Sequence, residues 1–227
     1  MVKLDHIDAW IFDLDNTLYS GDADFFAQID KKITSFISDF LSLPPTEARI
    51  LQKQYLVKYG TSLSGLMAEH GMDPADYLDH VHDINLDVLI PDPDLAIGIE
   101  NLPGRKFIFT NGSRGHAKRV GDHLGIYDLF DGVFAIEDID YIPKPKRGPY
   151  EKFISAFDID PKKSFMAEDS VRNLEAPKAM GMSTLLITSQ LDWSHEPKAA
   201  RPHDGKNVPH FVDMHTNDLT GWLLKLM

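Results

Sequence analysis

The chain has 227 residues, 43% hydrophobic and 10% aromatic, enough for one sizeable domain with or without an insertion, and too apolar for a disordered segment. Its net charge of −12 argues against binding a nucleic-acid polymer, which needs many Lys and Arg to displace counterions. A small phosphate ester stays open as a ligand where local positive charge overcomes that field, and the absence of cysteine excludes disulfides and thiol chemistry.

Residues Met1 to His6 show no signal-peptide pattern, and no stretch approaches the roughly 18 apolar residues of a membrane span. A cytoplasmic protein without a membrane partner is therefore expected. The first apolar run, Trp10-Ile11-Phe12, ends in Asp13-Leu14-Asp15-Asn16-Thr17-Leu18. Read as a strand, it points Asp13 and Asp15 the same way, because side chains alternate faces with period two. At the carboxyl end of a buried parallel strand both would project into the crevice where open α/β sheets bind ligands. Two carboxylates so close stay ionised only if a cation joins them or a substrate takes a proton from one; a hard, oxygen-ligated ion such as Mg2+ suits the first case. The plainer expectation is a strand ending in a polar turn.

Tyr19-Ser20-Gly21-Asp22 is turn-like, and an amphipathic helix comes next, with Phe25, Phe26, Ile29, Ile33, Phe36, Ile37 and Phe40 at spacings of three and four. Leu43-Pro44-Pro45 stops it; Thr46 is the expected cap of a second helix running to Tyr59, with Gly60 as its terminator. A short third helix carries Leu63, Leu66 and Met67, and Asp73-Pro74 opens a fourth. Residues 20–91 thus read as a helical insertion between two parts, 1–19 and 92–227, of one α/β domain.

From Asp92-Pro93 onward, strands and helices alternate, which predicts a parallel sheet with helices on both faces. Expected strands are Lys106–Thr110, Gly132–Ala135, Ser164–Ala167 and Ser183–Ile187, with a closing strand near His210-Phe211-Val212. Helices are expected near 93–101, and over His116–Leu124, Pro149–Phe157, Asn173–Met180 and Asn217–Met227, with a loop from Trp193 to Pro209.

Three more strand ends carry polar groups. Thr110-Asn111-Gly112-Ser113 offers a hydroxyl and backbone N–H groups at a helix start, which favour an anion, although Asn111 or Ser113 can simply cap the helix. Lys144 stands between Pro143 and Pro145, whose fixed φ angles set where its ammonium is carried. Glu168-Asp169 can complete an oxygen shell around an ion held by Asp13, while Ser170 or Asp169 can cap the helix expected after them.

The order and spacing of Asp13-x-Asp15, Thr110-Asn111, Lys144 and Glu168-Asp169 resemble the four motifs of the haloacid dehalogenase superfamily across nearly the whole chain. The resemblance implies a Rossmann-like parallel core with an inserted helical cap over residues 20–91. By position, Asp13 resembles the nucleophile and Asp15 the general acid/base. Thr110 resembles the phosphate-binding residue, with Asn111 beside it, and Lys144 the cation facing nucleophile and phosphate. Asp169 matches a ligand of Mg2+ beside Asp13 and the backbone carbonyl of Asp15, with Glu168 as a helper. Asn173 stands where many members have aspartate, which suggests an indirect part.

Within that superfamily, an aspartate at Asp15 favours phosphatase or phosphomutase chemistry over dehalogenation, where no leaving-group proton is needed. Closer resemblance is to pyrimidine 5′-nucleotidases, through Phe12–Tyr19, Tyr55–Gly60, Gly65-Leu66, Leu124–Gly132 and Glu168–Asn173. It implies a nucleoside monophosphate such as UMP or CMP as partner. Tyr59 and Thr61 are candidates for base contacts, against the plainer expectation of packing within the insertion. The alternatives are a phosphatase of phosphoglycolate or a sugar phosphate, and, more remotely, a signalling receiver or a phosphate-binding protein without catalysis. Ten histidines, among them His80, His82, His195, His203, His210 and His215, lack the paired spacing of a zinc site and are expected at solvated positions.

Overall fold

Four residues with no exposed face, Ala9–Phe12, form strand β1, and the sheet is built outward from it. A computed structural model describes residues 4–21, 25–191, 193–194 and 201–227. Asp22 of the expected turn, and His195 with the rest of 195–200 in the expected loop, lie outside the described residues. The other strands are β2 (Arg105–Phe109), β3 (Gly132–Phe134), β4 (Ser164–Glu168), β5 (Ser183–Ile187) and β6 (Met214–Thr216). All pair in parallel in the order β3-β2-β1-β4-β5-β6, so β1 lies between β2 and β4. The register places Phe12 beside Ile108 and Ala167.

Burial of both faces explains why these strands are apolar throughout. Trp10 and Phe12 pack on one face with Phe165, Leu185, and helices α5 (Pro93–Glu100), α6 (Arg114–Leu124) and α9 (Leu219–Leu224). Ala9 and Ile11 pack on the other with Phe107, Phe109, Met166 and helix α7 (Arg147–Phe157), whose Phe153 stacks on Phe109 at 5.0 Å. Each large side chain buried this way contributes roughly 1.5–3 kcal/mol. Helix α8 (Glu175–Met180) enters through a 3-10 turn, Val171–Leu174, so the expected helix start at Asn173 falls in that turn.

Between β1 and β2 lie α1 (Phe25–Leu41), α2 (Pro45–Tyr59), α3 (Ser62–His70) and α4 (Pro74–His82). Helix α2 starts at Pro45 with Pro44 before it and no side-chain cap, so Thr46 is inside the helix; proline suits the first turn, where its missing N–H costs nothing. Gln52, Lys53 and Arg49 of α2 all donate to the Asp30 carboxylate of α1. Gly65 of α3 backs onto the Tyr55 ring so closely that a methyl there would lie 2.4 Å from its Cγ.

The closing strand is Met214–Thr216, later than expected. Asp213 accepts from the Thr184 N–H and from Lys178, fixing Met214 opposite Leu185. Val208, Phe211 and Val212 instead pack against the α7 side of the core, so that apolar run is covered by packing without pairing in the sheet. No helix among the described residues is long and apolar enough to cross a membrane.

Candidate active site

The carboxyl ends of β2, β1 and β4 meet in one place because those strands are neighbours. The Asp13 N–H donates to the Ala167 carbonyl at 2.9 Å, carrying the β1–β4 pairing one step beyond the strand. The chain then turns: Leu18 N–H returns to the Leu14 carbonyl at 3.0 Å, and Asn16 takes the left-handed conformation that asparagine tolerates. Asp13 and Asp15 therefore share the site through a turn, since β1 ends at Phe12 before its alternation can orient either of them.

Lys144 is 1% exposed and donates to Asp13 Oδ1 at 2.9 Å, Glu168 Oε2 at 2.7 Å and the Phe109 carbonyl at 2.7 Å. These three acceptors use all three ammonium hydrogens. Its backbone is fixed too: Lys144 N–H donates to Asn111 Oδ1 at 2.9 Å, and Asn111 Nδ2 donates to the Lys144 carbonyl at 3.3 Å. Both ends of the Asn111 side chain thus fasten the lysine, so that side chain is occupied where a substrate contact was expected of it. Thr110 is 1% exposed; its Oγ1 accepts the Gly112 N–H at 2.8 Å and keeps its own hydrogen to donate.

Asp13, Glu168 and Asp169 present carboxylate oxygens that all lie within 4.8 Å of one another. Burial, and then the Glu168 charge, push the Asp13 carboxyl well above its ordinary range against the pull of Lys144. Burial, then Glu168 and Asp13, do the same to Asp169. Burial opposes the charge on Lys144, but Asp13 and Glu168 outweigh it and hold the ammonium protonated. Three carboxylates facing one ammonium suit a divalent, oxygen-seeking ion such as Mg2+. One nearby acceptor adds to the fit: the side-chain oxygen of Asn16 is buried without a partner, and its Nδ2 reaches Asp169 at 3.5 Å; the Asn173 side-chain oxygen is buried without a partner too. Glu168 already gives one oxygen to Lys144 and the other to the Ser170 N–H, so it serves the lysine first.

The Asp15 side chain stands apart from that trio. Its Oδ1 accepts from Tyr19 Oη at 2.7 Å and from His116 Nε2 at 2.8 Å. Burial opposes its charge, yet His116, by charge and hydrogen bond, and then Tyr19 bring it down to about 2. Its carboxylate is thus no part of the carboxylate trio. His116 is 1% and His82 9% exposed, correcting the expectation of solvated histidines: they stack on each other at 4.2 Å, and His82 Nδ1 meets Ser113 Oγ at 2.9 Å. Sequence reasoning missed Tyr19, His82 and His116 as site residues. Tyr19 had a signal, being four residues beyond Asp15 in a turn. His116 had a fainter one, in the first turn of the helix after Thr110-Asn111.

The insertion reaches the site through the turn between α2 and α3. A methyl on Gly60 would lie 3.6 Å from Pro143 and 3.8 Å from the Lys144 carbonyl, and Ser64 Oγ donates to the Tyr141 carbonyl at 3.4 Å. On either side of Gly60, Tyr59 donates to Glu69, and Thr61 caps α3 by accepting from Ser64 N–H at 3.0 Å, so both pack within the insertion. A cavity of about 420 Å3, walled by Leu89, Leu95, Ile187 and Thr220, adjoins the site at Asn16, Tyr19 and Asp169.

The profile of the haloacid dehalogenase-like hydrolases matches residues 7–181. Phosphate metabolism protein 8 of Saccharomyces cerevisiae is 27% identical over 223 residues, spanning 89% of this chain and 68% of that protein. Among solved structures, the fold is similar to a HAD phosphatase from Thermococcus onnurineus (TM-score 0.64, 18% identity, 97% of each chain). It is also similar to L-2-haloacid dehalogenase from Xanthobacter autotrophicus with chloropropionic acid covalently bound (TM-score 0.60, 17% identity, 97% of this chain and 98% of that one).

Proposed function

Because the chain belongs to the haloacid dehalogenase-like hydrolases, we propose that it is a phosphomonoesterase acting through an aspartyl-phosphate, with residues 20–91 as a cap over a core of 1–19 and 92–227. The observation that carries this reading is the pair of aspartates after β1 in two different settings. Asp13 faces the buried Lys144 at 2.9 Å, whereas Asp15 is held away from it by Tyr19 and His116. A carboxylate beside a fixed positive charge supports the nucleophile's role for Asp13, and one apart from it supports that of a separate proton carrier for Asp15. A dehalogenase has no use for the second.

Asp13 Oδ attacks phosphorus in line as the bond to the ester oxygen breaks; Asp15, ionised until the bound phosphate monoester monoanion gives it a proton, passes that proton to the ester oxygen. Asp15 then takes a proton from the water that attacks the phosphoenzyme, and Asp13 is released with phosphate. The ammonium of Lys144 faces the charge that builds on the transferring group, and the Thr110 hydroxyl and Asn111 backbone N–H donate to its oxygens. Mg2+, when held by Asp13, Asp169 and the Asp15 carbonyl, supplies further charge neutralisation.

The proposed substrate is a pyrimidine nucleoside 5′-monophosphate, supported by the sequence resemblance in residues 12–19, 55–60 and 168–173. Packing of Tyr59 and Thr61 within the insertion favours no base contact from either, and it gives a second reading its ground: another small phosphate ester, such as phosphoglycolate or a sugar phosphate. Phosphate release from UMP, CMP, AMP, GMP, phosphoglycolate and glucose 6-phosphate, with Asp13→Asn as control, tests both. Preference for UMP or CMP supports the first reading. Release from phosphoglycolate or the sugar ester alone supports the second, and none from any overturns the phosphatase assignment.

A further inference from the structure

Two side chains grip Asp15 and have no task in the proposed phosphoryl transfer. Tyr19 and His116 both donate to the same oxygen, Oδ1, at 2.7 and 2.8 Å. The other oxygen, Oδ2, faces the turn after β2: a methyl on Gly112 would lie 3.4 Å from it and 3.2 Å from the Thr110 hydroxyl. Oδ2 and the proposed phosphate-binding hydroxyl thus border one small gap, kept open by the missing side chain at position 112.

The His116 ring has little freedom to leave this arrangement. It is near-parallel to His82, with centroids 4.2 Å apart, and to Phe25 at 6.1 Å. Its backbone N–H donates to Ser113 Oγ at 3.1 Å, and that hydroxyl also meets His82 Nδ1. His82 is fixed in turn, because Arg119 on the same helix as His116 donates to the carbonyls of His82 at 2.6 Å and Ile84 at 3.2 Å. One helix, α6, therefore holds the end of α4 and aims an N–H at Asp15.

We infer that His116 is a positioning residue: together with Tyr19 it occupies Asp15 Oδ1, so that Oδ2 is the oxygen that passes the proton. This rests on the reading of Asp15 as acid/base. Oδ2 takes the acidic proton of the bound phosphate monoester monoanion, and that Oδ2–H bond breaks as the leaving oxygen gains the proton and parts from phosphorus. In the second step water gives a proton to Oδ2 while its oxygen bonds to phosphorus and the Asp13–phosphorus bond breaks. An acid whose second oxygen is fixed delivers its proton along one direction; a rotating carboxyl does not.

The test separates proton delivery from folding through the leaving group. UMP leaves as an alkoxide that needs a proton, whereas p-nitrophenyl phosphate leaves as a stable phenolate that does not; if UMP is not hydrolysed, the fastest alkyl phosphate of the panel takes its place. In the full chain with Mg2+ present, His116→Phe keeps a ring and deletes the donor. It is expected to lower kcat/KM for the alkyl ester by about 10- to 100-fold, part of the worth of a positioned acid, and for the aryl ester by less than about threefold. His116→Gln, which restores an N–H, is expected to recover part of the loss, and Tyr19→Phe to show the same leaving-group pattern more weakly. Equal losses on both esters, or no loss on either, with folding intact by circular dichroism, would overturn the inference; should His116→Phe not fold, Tyr19→Phe decides alone. Asp15→Asn run in parallel distinguishes the premise: if it too shows no leaving-group dependence, the acid/base reading fails, and if it alone shows it, only the role of His116 falls.

Discussion

Lys144 Nζ lies 2.9 Å from Asp13 Oδ1 and 2.7 Å from Glu168 Oε2, so one ammonium bridges two carboxylates delivered by neighbouring strands. All three side chains are buried, and removing the lysine leaves both carboxylates without their cation. The lysine is accordingly both the local positive charge that an acidic protein needs to receive a phosphate and a structural rivet.

Lys144→Met should therefore fail in two ways. It leaves Asp13 and Glu168 buried without a cation, which costs about 3–5 kcal/mol, and it removes the charge facing the transferring group. Urea unfolding and phosphate release on the same preparation check both. Loss of activity with unchanged unfolding midpoint would contradict the rivet.

Asp15→Asn preserves shape and the Tyr19 hydrogen bond but carries no transferable proton. Turnover on the best alkyl phosphate should fall by about 10²–10⁴, the usual worth of a positioned acid/base. Steady-state kinetics at saturating substrate measure this, and normal turnover would sink the assignment.

Metal removal should abolish phosphate release, and added Mg2+ should restore it. Asp169→Asn should raise the Mg2+ concentration needed for half-maximal activity at least by the roughly 10–100-fold that loss of even an outer partner costs a metal site. A titration of activity against Mg2+ for both proteins reads the shift; identical curves would remove Asp169 from the ligand set.

Far from the site, Asp30 gives a pH-dependent prediction. Burial raises its pKa, but hydrogen bonds from Lys53 and Arg49 outweigh it and bring the carboxyl below its ordinary value. A carboxylate so depressed adds stability above the unfolded value of about 4, and the gain is lost as pH falls through the lower folded value. Thermal unfolding of the native chain should thus weaken between about pH 5 and 3 more steeply than that of Asp30→Asn. Parallel curves for the two would show that the α1–α2 clasp is not charge-dependent.

The fold was legible because both faces of the sheet are covered, which makes strands such as Phe107-Ile108-Phe109 plainly apolar, and because polar residues at their ends interrupt them so abruptly. The carboxylates were legible for the same reason, since such groups seldom stand at a buried strand end by chance; Lys144, in the loop between β3 and α7 and not at a strand end, was legible through the prolines on either side of it. The contacts that stayed hidden join distant residues. Nothing local distinguishes His116, which meets Asp15 across 101 positions, from a histidine on a wet helix face. The Asn111 side chain looked like a phosphate contact and is a clasp on a lysine 33 residues away. The His210-Phe211-Val212 run has the composition of a strand, but the Asp213–Thr184 bonds set the pairing further along.

The β1–β4 pairing also dictates a schedule for synthesis. The Asp13 N–H waits for the Ala167 carbonyl, so a nascent chain carries its first strand, with its acidic turn, through most of translation without one of its two neighbours. The cation for Asp13 arrives at residue 144, and Glu168 and Asp169, which complete the cluster, arrive last. Helices α1 to α4 close mainly on local contacts in the meantime, while the sheet's central pairing is among its most distant in sequence. Such long-range pairing is slow, and it leaves the first strand an open edge on the ribosome until the fourth strand emerges.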